Sequence, residues 1–333
     1  MNIYKAGLIG CGDYLRWLID SMNASSRLKI KSTFDLDRTK SERRASQLHA
    51  TAVNTVDDIF ADKEISVVII FTPPWTRLPL FEKAVKHKKH IITTKPLAPT
   101  AAEAKKLYQL VKGKVQCAVH YGRTGNASVE MMKKIFRSGE IGKLALYKED
   151  WFHHYPTWNN WATDPKKNGG PFMDAMIHNL NKARYLMGRK LKSVAFFSEN
   201  YAQKLKCNDT ESMKLNFTGN GCARLFITWA ADLEIYDPSG NDREHYGIAH
   251  YITDKGWYVK EINKDGVPYI HAHKNKEVKE WKVEPLPCTP YDQFIIDLEA
   301  GKKPEPDIKM AMEDIIILEE AAKKKGKEVI LNF

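Results

Sequence analysis

The first 120 residues alternate short apolar runs with segments of helical length, and this rhythm constrains the fold more than any other feature. Runs with strand character lie at 3–9, 28–34, 66–71, 90–93 and 115–119, and helices are predicted between them. The run at 66–71 is rich in β-branched residues without a polar alternation, as expected of a strand buried on both faces. Repeated strand–helix units predict a parallel, doubly wound sheet.

The rhythm changes after His120, where helices become rare and turn signals more frequent. Glycine-containing turns at 219–221, 254–256 and 264–266 are typical of hairpins. This half predicts an α+β domain with a large, mostly antiparallel sheet. At about 150 residues per domain the length suggests two domains. We expect a first domain at 1–122 and a second domain at 123–333.

Composition and charge exclude several classes of protein. The 52 Lys and Arg residues exceed the 41 Asp and Glu residues, giving a net charge of +11. The lysines are scattered and no zinc-finger or RNA-binding signature accompanies them, so we expect a solvated basic surface and no nucleic-acid partner. The longest strongly apolar run is far shorter than the roughly 18 residues of a membrane span, so no membrane association is expected. Five dispersed cysteines and the absence of ligand spacing predict reduced thiols, no metal and a cytoplasmic location.

The first chemical motif is the turn Gly10-Cys11-Gly12, between the first strand and a helix. Gly10 permits a tight turn, and Gly12 lets the backbone approach a pyrophosphate beside the N–H groups of the helix N-terminus. Leu15 stands where a third glycine would complete the pattern. Asp35 ends the second strand, where a carboxylate binds ribose hydroxyls. These features predict dinucleotide binding; the alternative is a flavodoxin-like turn without a nucleotide.

A second motif, Thr93-Thr94-Lys95-Pro96, lies at the C-terminal end of the strand predicted at 90–93. Ligands of open α/β sheets bind beyond the carboxyl ends of the strands, so Lys95 is placed to face a cofactor and a substrate. The alternative is a surface lysine.

A third motif begins a helix after Gly169-Gly170. Asp174, His178, Asn181 and Tyr185 follow helical spacing on one side. A carboxylate one turn from an imidazole fixes its tautomer and raises its basicity, which suits a general base. The alternative is an ordinary solvated helix face.

Together these motifs resemble those of the Gfo/Idh/MocA family of NAD(P)-dependent sugar and inositol oxidoreductases, over nearly the whole chain. The segment 67–74 is similar to the family's fourth strand and Thr-Pro turn, Lys95-Pro96 to the segment with its catalytic lysine, and Asp174-x3-His178 to its catalytic helix. Three residues depart from the family pattern. Thr94, Arg77 and Asn181 stand where glutamate, histidine and aspartate are usual.

The resemblance implies hydride transfer between NAD(P) and a hydroxyl-bearing carbon of a sugar, inositol or related polyol. We expect Lys95, Asp174 and His178 to converge on one substrate hydroxyl, and the sequence leaves open whether lysine or histidine accepts the proton. The resemblance further implies a dinucleotide-binding Rossmann domain at 1–122 and an α+β substrate and oligomerisation domain at 123–333. It also implies that helices at about 290–325 pack back on the Rossmann domain, and that the chain forms a homodimer or homotetramer. The residues expected to bind the cofactor are Gly10, Cys11, Gly12, Asp13, Tyr14, Asp35, Arg38, Thr72, Pro73 and Lys95.

NAD is the expected cofactor, because Asp35 would repel a 2′-phosphate. NADP stays possible, since Arg38, Lys40 and Arg43 follow closely and arginine pairs well with phosphate. Two other functions also stay open. One is an NAD-dependent glycosidase or lyase that oxidises C3 transiently. The other is a non-catalytic regulator that responds to a sugar or dinucleotide.

The stretch 151–161 holds five Phe, Trp or Tyr residues in eleven positions. Aromatic rings stack on the C–H faces of sugars, while His and Asn side chains bind hydroxyls. The candidate substrate contacts are Arg123, His153, His154, Trp158, Trp161 and Asn181. The alternatives are aromatic packing or a subunit contact for the stretch, and a salt bridge for Arg123.

Overall fold

The computed structural model describes residues 2–122, 124–156, 161–167, 169–233, 245–324 and 326–331. The chain forms two compact units. The first comprises Met1–Tyr121 with Leu286–Met312, and the second comprises Gly122–Pro285 with Glu313–Phe333.

The strands are numbered in chain order. They are β1 (Tyr4–Ile9), β2 (Leu28–Phe34), β3 (Thr51–Ala52), β4 (Ile65–Ile70), β5 (His90–Thr94), β6 (Cys117–His120), β7 (Leu144–His153), β8 (Leu191–Glu199), β9 (Thr210–Phe217), β10 (Gly221–Thr228), β11 (His245–Thr253), β12 (Tyr258–Lys264), β13 (Val267–Lys274), β14 (Glu277–Lys282) and β15 (Val329–Ile330).

The α-helices are α1 (Ile19–Ala24), α2 (Arg38–Gln47), α3 (Val56–Ala61), α4 (Arg77–Lys86), α5 (Ala101–Val111), α6 (Ala127–Ser138), α7 (Ile177–Met187), α8 (Pro290–Glu299) and α9 (Ile308–Ala322). Short 3₁₀ turns lie at Asp13–Trp17 and Pro74–Thr76, and a π-helical turn at Phe172–Met176 precedes α7.

The first unit is built on a six-stranded parallel sheet in the order β3-β2-β1-β4-β5-β6. The central strand β4 is buried from Val67 to Ile70, because helices cover both faces of such a sheet. Helix α8 joins the same core through Phe294 and Ile295. The Asp292 carboxylate of α8 accepts hydrogen bonds from the Ser25 hydroxyl (2.6 Å) and the Arg27 backbone (2.8 Å).

The second unit contains a nine-stranded sheet in the order β14-β13-β12-β11-β7-β10-β9-β8-β15. Strands β7 and β10 pair in parallel, and every other neighbouring pair in this sheet is antiparallel. The expected fold class, a Rossmann sheet followed by an α+β domain with a mostly antiparallel sheet, is therefore confirmed. Among the described residues, no helix combines the length and apolar character needed to cross a bilayer.

Candidate functional site

The turn after β1 is shaped by glycine. Gly10 has a φ of +93°, and a Cβ at this position would lie 2.8 Å from the carbonyl carbon of Phe71. Its N–H donates to the Phe34 carbonyl at 2.9 Å, which ties the turn to β2. At Gly12, by contrast, a Cβ would meet no heavy atom within 4 Å. The turn is therefore fixed on one side and open on the other, which fits a pyrophosphate approaching the backbone at Gly12.

Asp35 lies half-buried at the end of β2 and holds this turn in place. Its Oδ2 accepts from the Cys11 backbone N–H at 2.7 Å, and its Oδ1 accepts from the Asp37 backbone N–H at 2.9 Å. Each carboxylate oxygen has a further lone pair, so both can also accept from ribose hydroxyls. The residues of the turn and of this carboxylate thus fit the adenosine half of a dinucleotide.

Three of the cations that follow Asp35 are engaged with nearby carboxylates. The pairs are Arg38 with Glu42 (2.7 Å), Lys40 with Asp37 (3.8 Å) and Arg43 with Asp13 (3.6 Å). Arg38 also donates to the Val53 carbonyl at 2.9 Å. The guanidinium of Arg38 is therefore bound by Glu42 and the Val53 carbonyl of the same chain.

The carboxyl ends of β4 and β5 carry the next group of expected residues. Lys95 is partly exposed, and its backbone N–H donates to the His120 carbonyl at 3.2 Å. The Thr72 hydroxyl, just before Pro73, accepts from the Thr76 hydroxyl at 2.9 Å. Thr72 and Lys95 therefore stand at the edge of the parallel sheet where ligands of such folds bind.

Tyr14 places an aromatic ring at this edge of the parallel sheet. Its ring lies edge-on to Phe71, with centroids 5.8 Å apart, and 6.4 Å from the ring of His120. Burial raises the pKa of the Tyr14 hydroxyl, against the smaller opposing effect of a hydrogen bond with Thr94. Burial also lowers the pKa of His120 to about 4, so its imidazole is neutral near pH 7.

In the second unit, a buried carboxyl group anchors the start of the segment that carries Asp174. Glu211 of β9 is 6% exposed; its two oxygens accept from the Phe172 backbone N–H at 2.7 Å and the Ser198 hydroxyl at 2.9 Å. Burial raises the pKa of Glu211 to about 7. The π-helical turn that contains Asp174 is thus held at its N-terminus by β9.

His178 lies one turn beyond Asp174, and both side chains are partly exposed. The backbone N–H of Gly122 donates to Nδ1 of His178 at 3.1 Å. A backbone N–H can only donate, so Nδ1 carries no proton in this arrangement. The proton of the neutral imidazole is therefore on Nε2, which makes Nε2 a hydrogen-bond donor.

The polar helix face expected from the sequence divides in the structure. Asn181 and Tyr185 are buried, unlike Asp174 and His178. The Asn181 amide donates to Asp314 at 2.7 Å, so this residue, a candidate substrate contact, instead joins α7 to α9. The reason is that α7 is enclosed on several sides, and polar groups on its inner faces need protein partners.

A buried ion pair joins α7 to the sheet. The ammonium group of Lys182 lies 2.6 Å from the Glu149 carboxylate, and both residues are less than 10% exposed. Glu149 also accepts from the Tyr147 hydroxyl and from the indole N–H of Trp151, the latter at 2.8 Å. This network fixes the rotation of α7 about its axis, and hence the direction of His178.

The aromatic stretch separates into several environments. Trp151 and Phe152 belong to β7, and His153 ends this strand, half-buried. His154 is buried, with Nδ1 3.2 Å from the Ala231 carbonyl oxygen, while Trp161 is half-buried. Two candidate substrate contacts, Arg123 and Trp158, lie outside the described residues.

Several buried charged residues were not assigned a role from the sequence, among them Arg77, Glu211 and Lys182. The burial of Glu211 could have been predicted from the sequence, because Glu211 shares the alternating, core-facing positions of β9 with Met213 and Leu215. Arg77 stands out in the sequence only as a departure from the family pattern, and Lys182 has no such signal. Arginine and lysine near a helix N-terminus or on a helix are usually solvated.

Several proteins are similar in sequence to this chain over part or most of its length. An uncharacterized oxidoreductase of Schizosaccharomyces pombe is 28% identical over 45% of this chain and 42% of its own length. The inositol 2-dehydrogenase of Salmonella typhimurium is 25% identical over 90% of this chain and 87% of its own length. The chain spans less than two thirds of the length of several uncharacterized oxidoreductases that it matches.

Solved structures share the fold at low sequence identity. The aldose-aldose oxidoreductase of Caulobacter crescentus has a TM-score of 0.82 at 17% identity and covers 99% of this chain and 100% of its own. An oxidoreductase of Agrobacterium radiobacter, solved with NAD+, L-tartaric acid and magnesium, has a TM-score of 0.80 at 16% identity and covers 98% of both chains.

Two family models match successive parts of the chain. Residues 4–122 match the oxidoreductase family with an NAD-binding Rossmann fold, and residues 129–239 match the Gfo/Idh/MocA C-terminal domain. The glycine turn and Asp35 lie in the first match, and Asp174 and His178 in the second. The chain therefore belongs to the Gfo/Idh/MocA family of NAD-binding oxidoreductases.

Proposed function

We propose that this chain is an NAD(P)-dependent dehydrogenase or reductase that acts on a CH–OH group of a sugar, inositol or related polyol. The observation that carries the proposal is that Lys95, Asp174 and His178 are all present, with side chains that are partly exposed. The match to inositol 2-dehydrogenase over 90% of the chain supports a polyol as the substrate.

We propose that Lys95, Asp174 and His178 act on the same substrate hydroxyl. When bound, the nicotinamide ring accepts or supplies the hydride, and the chain must handle the proton of the hydroxyl. Because Nδ1 of His178 accepts from Gly122, the imidazole is prepared to donate from Nε2. Lys95 is then the proposed proton acceptor during oxidation, a role that requires the deprotonated form of its amine. The Nε2–H of His178 stabilises the developing negative charge on the oxygen.

Paired substitutions at His178 test this division of roles. The Gln amide nitrogen occupies the place of Nε2 as a donor, whereas Asn reproduces only the side near Nδ1. We expect His178→Gln to keep at least tenfold more kcat than His178→Asn. Lys95→Ala is expected to lose about 10²–10⁴-fold in kcat while nucleotide binding persists. Equal loss in both His178 variants, with an active Lys95→Ala enzyme, would make histidine the base.

We propose NAD rather than NADP as the physiological cofactor. Asp35 would repel a 2′-phosphate, and the guanidinium of Arg38 is bonded to Glu42 and to the Val53 carbonyl. The test is the dissociation constant of each nucleotide by calorimetry. NADP+ binding tighter than NAD+ in the wild-type protein would contradict the proposal.

The proposed substrate is a pyranose-sized ring beside the segment 151–161. A panel of sugars and polyols with NAD+ and NADP+, followed by nicotinamide absorbance, tests the reaction. Trp161→Ala is expected to raise KM for the substrate and to leave nucleotide affinity unchanged. The absence of turnover across the whole panel, with the protein folded and nucleotide bound, would refute the function.

We also propose that a second copy of the chain covers one face of the nine-stranded sheet, as in a homodimer or a homotetramer. Phe197, Phe226 and Ile248 lie in one row across this face, and Phe152 is 44% and Tyr246 60% exposed beside them. Exposed apolar side chains gathered on one face of a sheet favour burial against a partner. Light scattering on wild type and on Phe152→Lys/Ile248→Lys tests it, and a monomeric wild type at micromolar concentration refutes it.

A cytoplasmic location is the remaining part of this proposal. All five cysteines are free thiols, which supports a reducing compartment. Fractionation of cells that produce the protein is the direct test.

A further inference from the structure

Arg77, the first residue of α4, is buried to an extent that is unusual for arginine. Its exposed fraction is 1%, and every hydrogen bond it makes within the described residues goes to a backbone carbonyl. Placing a guanidinium in the interior without a carboxylate partner is costly. A residue kept in this state must contribute through the groups that it holds together.

The groups held by Arg77 belong to the two turns already assigned to the cofactor and to Lys95. Nε and Nη2 donate to the Thr72 carbonyl at 3.1 and 2.9 Å, after β4. Nη1 donates to the Thr94 and Pro96 carbonyls at 2.6 and 2.5 Å, after β5. The Thr94 and Pro96 carbonyls flank Lys95 on both sides.

We propose that Arg77 is a positioning residue for Lys95. By bonding the carbonyls before and after Lys95 to one nitrogen, Arg77 fixes the direction in which the Lys95 side chain leaves the backbone. By bonding Thr72 through the other nitrogens, it sets this direction relative to the turn expected to contact the cofactor. The planar fork of arginine can reach both turns at once, whereas the single ammonium of lysine cannot. This inference rests on the proposed function of Lys95.

Lys89 supplies a matched control at the opposite end of the same strands. It is 4% exposed and donates to the Asp62 and Ile65 carbonyls at 2.8 and 2.6 Å. It is therefore another buried cation that joins backbone carbonyls near β4 and β5, but at their amino ends. A purely structural role predicts the same consequences for Lys89→Met and for Arg77→Lys.

The test compares Arg77→Lys, Arg77→Gln and Lys89→Met with the wild type on the best substrate of the polyol panel. A displacement of about 1 Å at a reacting group costs on the order of 10²-fold in rate. We expect both Arg77 variants to lose about 10²-fold in kcat, with KM for the nucleotide changed less than threefold. Lys89→Met is expected to keep kcat within twofold at a comparable loss of melting temperature. If Arg77→Gln does not fold, Arg77→Lys alone is compared with Lys89→Met.

Hydrogen exchange measured by mass spectrometry gives a readout that needs no activity. We expect amides in 94–98 to exchange at least tenfold faster in Arg77→Lys than in the wild type, and to be unchanged in Lys89→Met. Unchanged exchange in Arg77→Lys, or a kcat within twofold of wild type, overturns the positioning role. A wild type that is inactive on every polyol refutes the proposed function instead, and the exchange result then decides the inference about the turn.

Discussion

Glu211→Gln is expected to remove a pH dependence of stability from the second unit. Burial raises the pKa of Glu211 from 4.5 to about 7, so the folded state binds its proton more tightly than the unfolded state does. Unfolding therefore releases this proton between pH 4.5 and 7. The contribution of Glu211 to the free energy of unfolding is highest below pH 4.5 and is lost as the pH rises through 7.

The size of the effect follows from the shift. A change of one unit in pKa corresponds to about 1.36 kcal/mol. The free energy of unfolding contributed by Glu211 is therefore roughly 3 kcal/mol lower above pH 7 than at pH 4.5. Glutamine has nearly the same shape, and its carbonyl can still accept from the Phe172 N–H. The free energy of unfolding of Glu211→Gln minus that of the wild type should therefore increase progressively with pH, by about 3 kcal/mol between pH 4.5 and 8.

Urea unfolding at pH 5, 6, 7 and 8 measures this difference, because other titrating groups cancel between variant and wild type. Asp209, two residues earlier, is the control. Burial raises the pKa of Asp209, but N–H donors of Ala202 and Gln203 more than offset this and hold it below its usual range. Asp209→Asn should therefore lower the free energy of unfolding by the same amount at all four pH values. A difference for Glu211→Gln that does not vary with pH would refute the reasoning.

Three further changes have defined outcomes. Gly10→Ala places a methyl group 2.8 Å from the Phe71 carbonyl carbon at a φ of +93°, so we expect at least a tenfold loss of NAD+ affinity by calorimetry; unchanged affinity would contradict the turn geometry. Lys182→Met leaves the Glu149 charge buried and should cost about 3–5 kcal/mol in urea unfolding, while adding Glu149→Gln should restore part of it. Asn181→Ala should lower the melting temperature and leave KM within twofold; a large rise in KM would return Asn181 to the substrate contacts.

Several features of the protein could be predicted from local pattern. The strand–helix alternation predicted the parallel sheet of the first unit, and the β-branched run at 66–71 predicted a strand buried on both faces. Turn signals predicted the mostly antiparallel second sheet. The glycine turn was recognisable because Gly10 and Gly12 act on the backbone within a few residues. The helical spacing of Asp174 and His178 likewise depends only on residues one turn apart.

Other features depend on contacts between residues far apart in the chain. The spacing of Asp174 and His178 is local, but the partner of His178 is Gly122, 56 residues away, and that contact places the proton on Nε2. Asn181 has the same helical phase as His178, yet it is buried because α9 packs over it through Asp314. Helical periodicity states which residues share a side and cannot state what covers that side.

The charge state and role of the buried polar groups were decided by tertiary structure alone. Arg77 stands in a sequence where a solvated arginine is the ordinary expectation, and only the folded sheet brings the Thr72, Thr94 and Pro96 carbonyls around it. The pKa of Glu211 reaches about 7 because the fold removes water from its carboxyl group. Desolvation and hydrogen-bond partners are set by segments distant in sequence, so local pattern predicts the elements of this protein but not the environment of its charges.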